Sequence, residues 1–308
     1  MTIKDKINIV FFGTPDFALT SLEKICADQE FNIMAVVTKP DAPRGRKKIM
    51  TQSVVADFAD SKNIKVLKPE KMKDDEFISE INSLKADFFV VVAYGKILPK
   101  QILELPKFGV INLHGSLLPK YRGAAPIQFS LLNGDDTTGV TTMLLDEGMD
   151  TGDMLLKEKI KIEKNDDYFS LSEKLADIGA DLLIKTLKTF DKITPEKQNE
   201  ELATYTRMIE KNDGQFNYNE DVKTNFNRVI ALSFWPVAFT DFNGKTLKIY
   251  EADYEKRSDC VKNEIKVLKN KIEICFYDGV LIPKVVKLEG KKKMNITDFV
   301  NGLKSLKN

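Results

Sequence analysis

The chain has 308 residues, 47 Lys and Arg against 46 Asp and Glu, a formal net charge of +1 and one histidine. At that length a single hydrophobic core is near its upper limit, so two domains are expected. With 43% hydrophobic and 30% charged residues the composition excludes a disordered chain and a membrane protein. The strongest apolar run, Phe88 to Ala93, is far below the roughly 20 residues of a spanning helix.

In chain order, Ile7 to Phe12 reads as a short apolar strand closed by Gly13. Thr14 is the expected N-cap of the helix that follows, with Pro15 at its first position. A second strand is expected over 33–37, helices over 51–59 and 75–84, and a strand buried on both faces over 87–93. Gly109 to Leu113 is another strand, 127–132 a helix, and 139–145 a strand rich in β-branched residues. Apolar residues at Leu171, Leu175, Ile178, Leu182 and Leu183 set a helical period over 167–190. Strands alternating with helices predict an α/β fold with a doubly wound, mostly parallel sheet. Residues 1–190 are expected to form this domain and 191–206 a linker. From 207 to 308 the pattern changes to short strands with turns such as Asn243-Gly244, which predicts a small antiparallel β-barrel of the oligonucleotide-binding type.

Near-neutral charge conceals an asymmetry. Residues 1–206 carry 28 basic against 32 acidic side chains, and residues 207–308 carry 19 against 14. The last part is therefore basic. Three cysteines, Cys26, Cys260 and Cys275, lack metal-ligand spacing, and with one histidine no metal site is expected. The N-terminus lacks a signal-peptide layout, so a cytoplasmic protein is expected. Any imidazole chemistry must come from His114.

In doubly wound sheets ligands bind beyond the carboxyl ends of the strands. Gly13 to Asp16 has one glycine where a dinucleotide fingerprint needs three, and reads as a tight strand-to-helix turn. Asn112 and His114 are two apart at a strand end, so they share a face and could both donate to an oxygen that becomes negative in acyl transfer. The acidic turn from Asp146 to Asp153 follows a strand that can lie beside them. One of Asp146, Asp150 and Asp153 could orient His114, and the residues alone do not choose among them.

The run from Asn112 through His114, Pro119 and Arg122 to Gln128, followed by Met149 to Asp153, resembles the formyltetrahydrofolate-dependent formyltransferase family. The similarity covers nearly the whole chain, including Phe12 to Ala18, Val92 to Gly95, Ile97 to Pro99, Trp235-Pro236 and Glu289 to Met294. It implies a Rossmann-like catalytic domain with Asn112, His114 and Asp150 as catalytic residues. It implies 10-formyltetrahydrofolate as co-substrate, lined by Ser116, Leu117, Leu118 and Pro119, with Tyr94, Gly95, Ile97 and Leu98 holding the pterin. The implied acceptor is the α-amine of initiator methionyl-tRNA. Alternatives within the family are a sugar-nucleotide amine or glycinamide ribonucleotide; an inactive RNA-binding protein is disfavoured by the intact triad. The basic loop Lys39, Arg44, Arg46, Lys47 and Lys48 would contact the acceptor stem, with Arg46 favoured over Arg44 because it follows Gly45. Lys291, Lys292 and Lys293 read equally as a phosphate-tracking cluster or a solvated turn. Trp235-Pro236 and Tyr218 are expected in packing roles, and a monomer is the default.

Overall fold

Ile7 to Phe12 is uninterruptedly apolar, and it forms β1 (Ile7–Gly13) at the heart of a seven-stranded sheet. The computed structural model describes residues 6–44 and 48–304. After β1 come α1 (Asp16–Ala27), β2 (Phe31–Val37), a hairpin of β3 (Ala42–Arg44) and β4 (Ile49–Thr51), α2 (Val54–Ser61), β5 (Val66–Leu67) and α3 (Asp75–Ser83). They are followed by β6 (Phe88–Val92), α4 (Lys100–Leu103), β7 (Val110–His114), β8 (Arg122–Gly123), α5 (Pro126–Leu132), β9 (Thr137–Leu144), β10 (Met154–Lys161) and α6 (Tyr168–Lys188). The remainder is β11 (Tyr205–Thr206), α7 (Val222–Ala231), β12 (Ala238–Phe242), β13 (Lys245–Lys256), β14 (Ile265–Val267), β15 (Ile272–Phe276), β16 (Gly279–Leu288), β17 (Met294–Asn295) and α8 (Ile296–Lys304).

Contacts group the chain into two units. One gathers residues up to Gly123, Thr138–Ile160 and Ser172–Tyr205; the other gathers Ala124–Thr137, Lys161–Leu171 and the chain from Thr206 onward. The first unit is the α/β layer structure that the alternating pattern predicts. Its sheet runs β10-β9-β7-β6-β1-β2-β5. Strands β5, β2, β1, β6 and β7 pair in parallel, and β9 runs antiparallel to β7. Successive residues of a strand alternate between faces. Val10, Phe12, Phe89, Val91 and Val110 accordingly meet Phe77 and Ile81 of α3 and Ile102 of α4 in one core. Ile9, Phe11 and Val90 are fully buried on the other side. Burial of each such side chain contributes about 1.5–3 kcal/mol.

One local expectation fails. Pro15, not Thr14, caps α1; it is extended (φ −86°, ψ 176°) and the helix begins at Asp16. The Thr14 hydroxyl instead points toward the Tyr94 carbonyl at 3.4 Å, so tertiary contact outweighs capping.

The second unit is a curled antiparallel half-barrel in the order β12-β13-β16-β15-β14, with β17 added to β16. Asn243 and Gly244, both at positive φ, make the tight turn between β12 and β13. Its core joins Leu247, Ile249, Ile274, Phe276 and Leu281 of the sheet to Val229 of α7 and Phe299 and Val300 of α8. Tyr218 packs as expected: its ring stacks on Phe276 and its hydroxyl meets Thr240 at 2.7 Å. Trp235 does not; it is 50% exposed, and the buried half of that dipeptide is Pro236.

Candidate active site

β7 runs into the site from a fully apolar neighbour, β6, and its own alternation puts Val110, Asn112 and His114 on one face. Asn112 and His114 are 8% and 6% exposed, at the carboxyl end of the strand. His114 Nε2 lies 2.9 Å from the Tyr121 carbonyl oxygen. A carbonyl only accepts, so Nε2 carries the hydrogen. Nδ1 faces Asp150 Oδ2 at 3.6 Å, within ion-pair range and longer than a hydrogen bond. The Asn112 carboxamide makes no hydrogen bond among the described residues, which leaves its donors available.

Asp150 reaches this position from the turn after β9, which pairs with β7 so that Thr141 opposes His114. Its backbone is left-handed (φ 55°), a region Asp tolerates better than most residues. Its Oδ2 accepts the Gly123 N–H at 2.7 Å. Of the other two carboxylates left open by the sequence, Asp146 is committed to its own turn, accepting from the Gly148 N–H at 3.0 Å and the Thr151 hydroxyl at 2.8 Å. The backbone carbonyl of Asp153 accepts the Leu144 N–H at 2.9 Å, and its carboxylate makes no ion pair with the ring among the described residues. Asp150 is the carboxylate that stands beside the imidazole.

The loops that leave β6 and β7 are neighbours because those strands pair, Val92 opposite Leu113. Tyr94 and Leu98 send their side chains into the core, and burial pushes the Tyr94 hydroxyl up to about 12. Gly95 (φ 72°) and Ile97, which is 80% exposed, remain at the surface between them. In the second loop Leu118 is buried and the Ser116 hydroxyl donates to the Lys120 carbonyl at 2.6 Å, so Ser116 closes the turn itself. The Ser116 carbonyl accepts from Thr141 at 2.7 Å, and Thr141 Oγ1 accepts the Leu118 N–H at 3.1 Å. On these two loops Gly95 and Ile97 are exposed and Leu117 and Pro119 half-buried.

Of the basic residues, Lys39 follows β2 and its ammonium lies against Gly95, where an added Cβ would come within 2.6 Å. Arg44 ends β3, and Lys48 is exposed at positive φ. Gly45, Arg46 and Lys47 lie outside the described residues, and with them the preference for Arg46. Lys291, Lys292 and Lys293 are exposed beyond β16, with Lys293 over the Tyr250 ring at 4.4 Å. Sequence reading missed a further basic pair on the same half-barrel: Lys248 stands directly opposite Lys287. Burial first, then Lys287 and Lys211, hold the Lys248 ammonium below its usual range.

Also missed are Gln198 and the role of Arg122. Gln198 Nε2 donates to the carbonyls of Asp150 and Gly152, both at 2.8 Å. Arg122 is fully buried and donates through Nε to Gln198 at 2.9 Å. Its other nitrogens grip Glu200 at 2.7 and 2.8 Å and the Tyr205 hydroxyl at 2.9 Å. The Glu200 contact, then the Tyr205 bond, raise the Arg122 guanidinium further. Gln198 sits in a stretch without apolar period, so pattern reading offers no signal for it.

Among the described residues no group of three or more His, Cys, Asp or Glu could hold a metal ion, and no helix is long and apolar enough to cross a membrane.

Comparison with known proteins identifies the family. Residues 6–187 match the formyl transferase family, and residues 208–304 match the formyl transferase C-terminal domain. A methionyl-tRNA formyltransferase of Caldicellulosiruptor saccharolyticus is 47% identical over 303 residues, which cover 97% of each chain. Two solved structures share the fold at lower identity. An N-formyltransferase of Helicobacter canadensis in complex with folinic acid and dTDP-3-aminofucose has a TM-score of 0.69 at 23% identity, covering 90% of this chain and 98% of that one. The methionyl-tRNA formyltransferase of Clostridium thermocellum has a TM-score of 0.58 at 18% identity, covering 80% and 93%. The chain belongs to the methionyl-tRNA formyltransferase family of formyl transferases.

Proposed function

We propose that the chain transfers the formyl group of 10-formyltetrahydrofolate to the α-amine of initiator methionyl-tRNA, with Asn112, His114 and Asp150 at the reacting centre. The observation that carries this reading is the 3.6 Å approach of Asp150 to His114 beside an Asn112 amide with no partner among the described residues. It occurs in a chain 47% identical to a methionyl-tRNA formyltransferase.

When bound, the folate supplies the formyl carbon. The free Asn112 donors suit an oxygen acceptor, and the backbone-rich loops at 94–98 and 116–119 suit a flat ring, so these residues fit that donor. A free α-amine titrates near 8, and a neighbouring ester lowers this further, so the neutral nucleophile needs little help. Asn112 donates to the formyl oxygen as negative charge builds on it. His114 faces the same side. Its Nε2–H is held by the Tyr121 carbonyl, so its use at the formyl oxygen exchanges one acceptor for another. Asp150 orients the ring; as the amine nitrogen bonds to the formyl carbon, its proton leaves through Asp150 and water, and the N10–carbon bond breaks with a proton returned to N10, which releases tetrahydrofolate. Lys39, Arg44, Arg46, Lys47 and Lys48, with Lys291 to Lys293, contact tRNA phosphates.

The same reading keeps a catalytic domain over 1–190, a linker over 191–206, a tRNA-binding domain over 207–308, a cytoplasmic location and a monomer. The test is incubation with 10-formyltetrahydrofolate and one of three amines: methionyl-tRNA, an amino-sugar nucleotide or glycinamide ribonucleotide. Formylation of methionyl-tRNA alone is expected. Preferential formylation of either other amine would overturn the assignment.

A further inference from the structure

We propose that Gln198 is a positioning residue for formyl transfer, holding the backbone of the Asp150 turn so that the carboxylate stays beside His114. The proposal rests on the reading of His114 and Asp150 as the catalytic pair. Asp150 occupies left-handed backbone, which is disfavoured for L-residues, though least so for Asn and Asp, and is held by local contacts. Two contacts hold it, one at the side chain and one at the backbone carbonyl. The Gly123 N–H holds the carboxylate at 2.7 Å, and one Gln198 amide nitrogen holds the carbonyls of both Asp150 and Gly152 at 2.8 Å. Gln198 is itself 9% exposed and pinned through its oxygen by the buried Arg122.

The same segment reaches the imidazole. Thr204 accepts the Arg122 N–H through its carbonyl at 2.8 Å and the Tyr121 N–H through its hydroxyl at 2.8 Å. The Tyr121 carbonyl is the acceptor that fixes His114. Residues 198–205 thus support both members of the pair, one through Gln198 and one through Tyr121. A displacement of about 1 Å at a catalytic group costs on the order of 10²-fold in rate.

The test compares Gln198→Ala, Gln198→Glu, Asp150→Asn and the Asp150→Asn/Gln198→Ala double variant in the full chain, with methionyl-tRNA and 10-formyltetrahydrofolate. Gln198→Ala is expected to lower kcat about 10²-fold with both KM values within about twofold. Gln198→Glu keeps the acceptor for Arg122 but turns oxygens toward two carbonyls, so it is expected to be equally slow. Wild-type kcat in Gln198→Glu would mean that Gln198 only anchors Arg122, and would overturn the proposal. Should Gln198→Ala fail to fold, Gln198→Glu decides on the same readouts. The double variant is expected to be no slower than Asp150→Asn, because both act on one unit.

The chain has one histidine, so the ring nitrogen resonances of a 15N-histidine sample at fixed pH report His114 alone. They are expected to move in Gln198→Ala as they do in Asp150→Asn. Unchanged resonances and normal kcat in Gln198→Ala, beside a severe loss in Asp150→Asn, overturn this proposal alone. Normal turnover in Asp150→Asn overturns the catalytic reading itself.

Discussion

The carboxylate of Asp150 stands 3.6 Å from the ring of His114, and the oxygen that faces the ring also accepts the Gly123 N–H. The ring in turn is held by the Tyr121 carbonyl on its far nitrogen. Position is thus set on both partners by backbone groups, and the charge at Asp150 is separable from the fold.

Asp150→Asn follows from that separation. An asparagine oxygen in the place of Oδ2 can still accept the Gly123 N–H, but the side chain then offers the ring no negative charge. Thermal stability should stay close to wild type, while kcat falls by at least about 10²-fold, the scale of a lost charge-stabilising group. Steady-state kinetics beside a melting curve checks both; near-normal turnover would remove the charge from the mechanism.

Asn112→Ala removes an amide that no other described residue uses. Folate affinity and stability should change little, because no protein hydrogen bond is broken. Turnover should fall on the order of 10²–10³-fold. Equilibrium folate binding with single-turnover rates separates the two; an unchanged rate excludes Asn112 as an oxyanion donor.

Gly152→Ala tests the turn that carries Asp150. A Cβ there would lie 1.8 Å from the Leu144 carbonyl oxygen, a backbone atom that cannot swing away. The variant should lose about 3 kcal/mol or more of stability and lose turnover with it. Urea unfolding followed by circular dichroism gives the difference, and a stable, active variant would contradict the turn geometry.

Glu273 gives the half-barrel a pH-dependent element. Its side chain is buried between Lys271 at 2.7 Å and Arg257 at 2.5 Å, and these cations hold its carboxyl below the usual 4.5. A carboxyl lowered in the folded state adds stability above its unfolded value, and that stability is lost as pH falls through the folded value. Glu273→Gln should therefore cost on the order of 1–3 kcal/mol near pH 7. The deficit should shrink as pH drops below about 5. A deficit that does not depend on pH would exclude the ion pairing.

Lys291, Lys292 and Lys293 provide the test for the C-terminal surface. If they meet phosphates, tRNA affinity falls steeply with salt, and the triple Ala variant has a shallower slope of log affinity against log salt. Fluorescence titrations at several salt concentrations measure this. The same slope in both proteins would return the cluster to a solvated turn.

Much of the first unit was legible because its strands are buried on both faces. Phe88 to Val92 can only be a central strand, and Asn112 and His114 interrupt the next such run where its carboxyl end must lie. The α7 helix was not legible. Its run carries Thr, Asn and Asn, and buried Asn225 is satisfied by Asn217 and by the Asp221 carbonyl, contacts that no apolar period announces. Gln198 is of the same kind: a polar side chain in an unpatterned stretch, given its role by two carbonyls that only the folded turn brings to it.

The sequence by itself determined the α/β alternation, the basic C-terminal part and the fact that imidazole chemistry has one possible source. Periodicity and composition are local properties, and they survive in one dimension. The tertiary structure decided which of three nearby carboxylates meets His114, and what holds it there. Asp146 spends its oxygens on its own turn, whereas the left-handed backbone at Asp150, supported by Gly123 and Gln198, aims its carboxylate at the ring. That choice depends on hydrogen bonds between segments far apart in the chain, which no spacing in the sequence encodes.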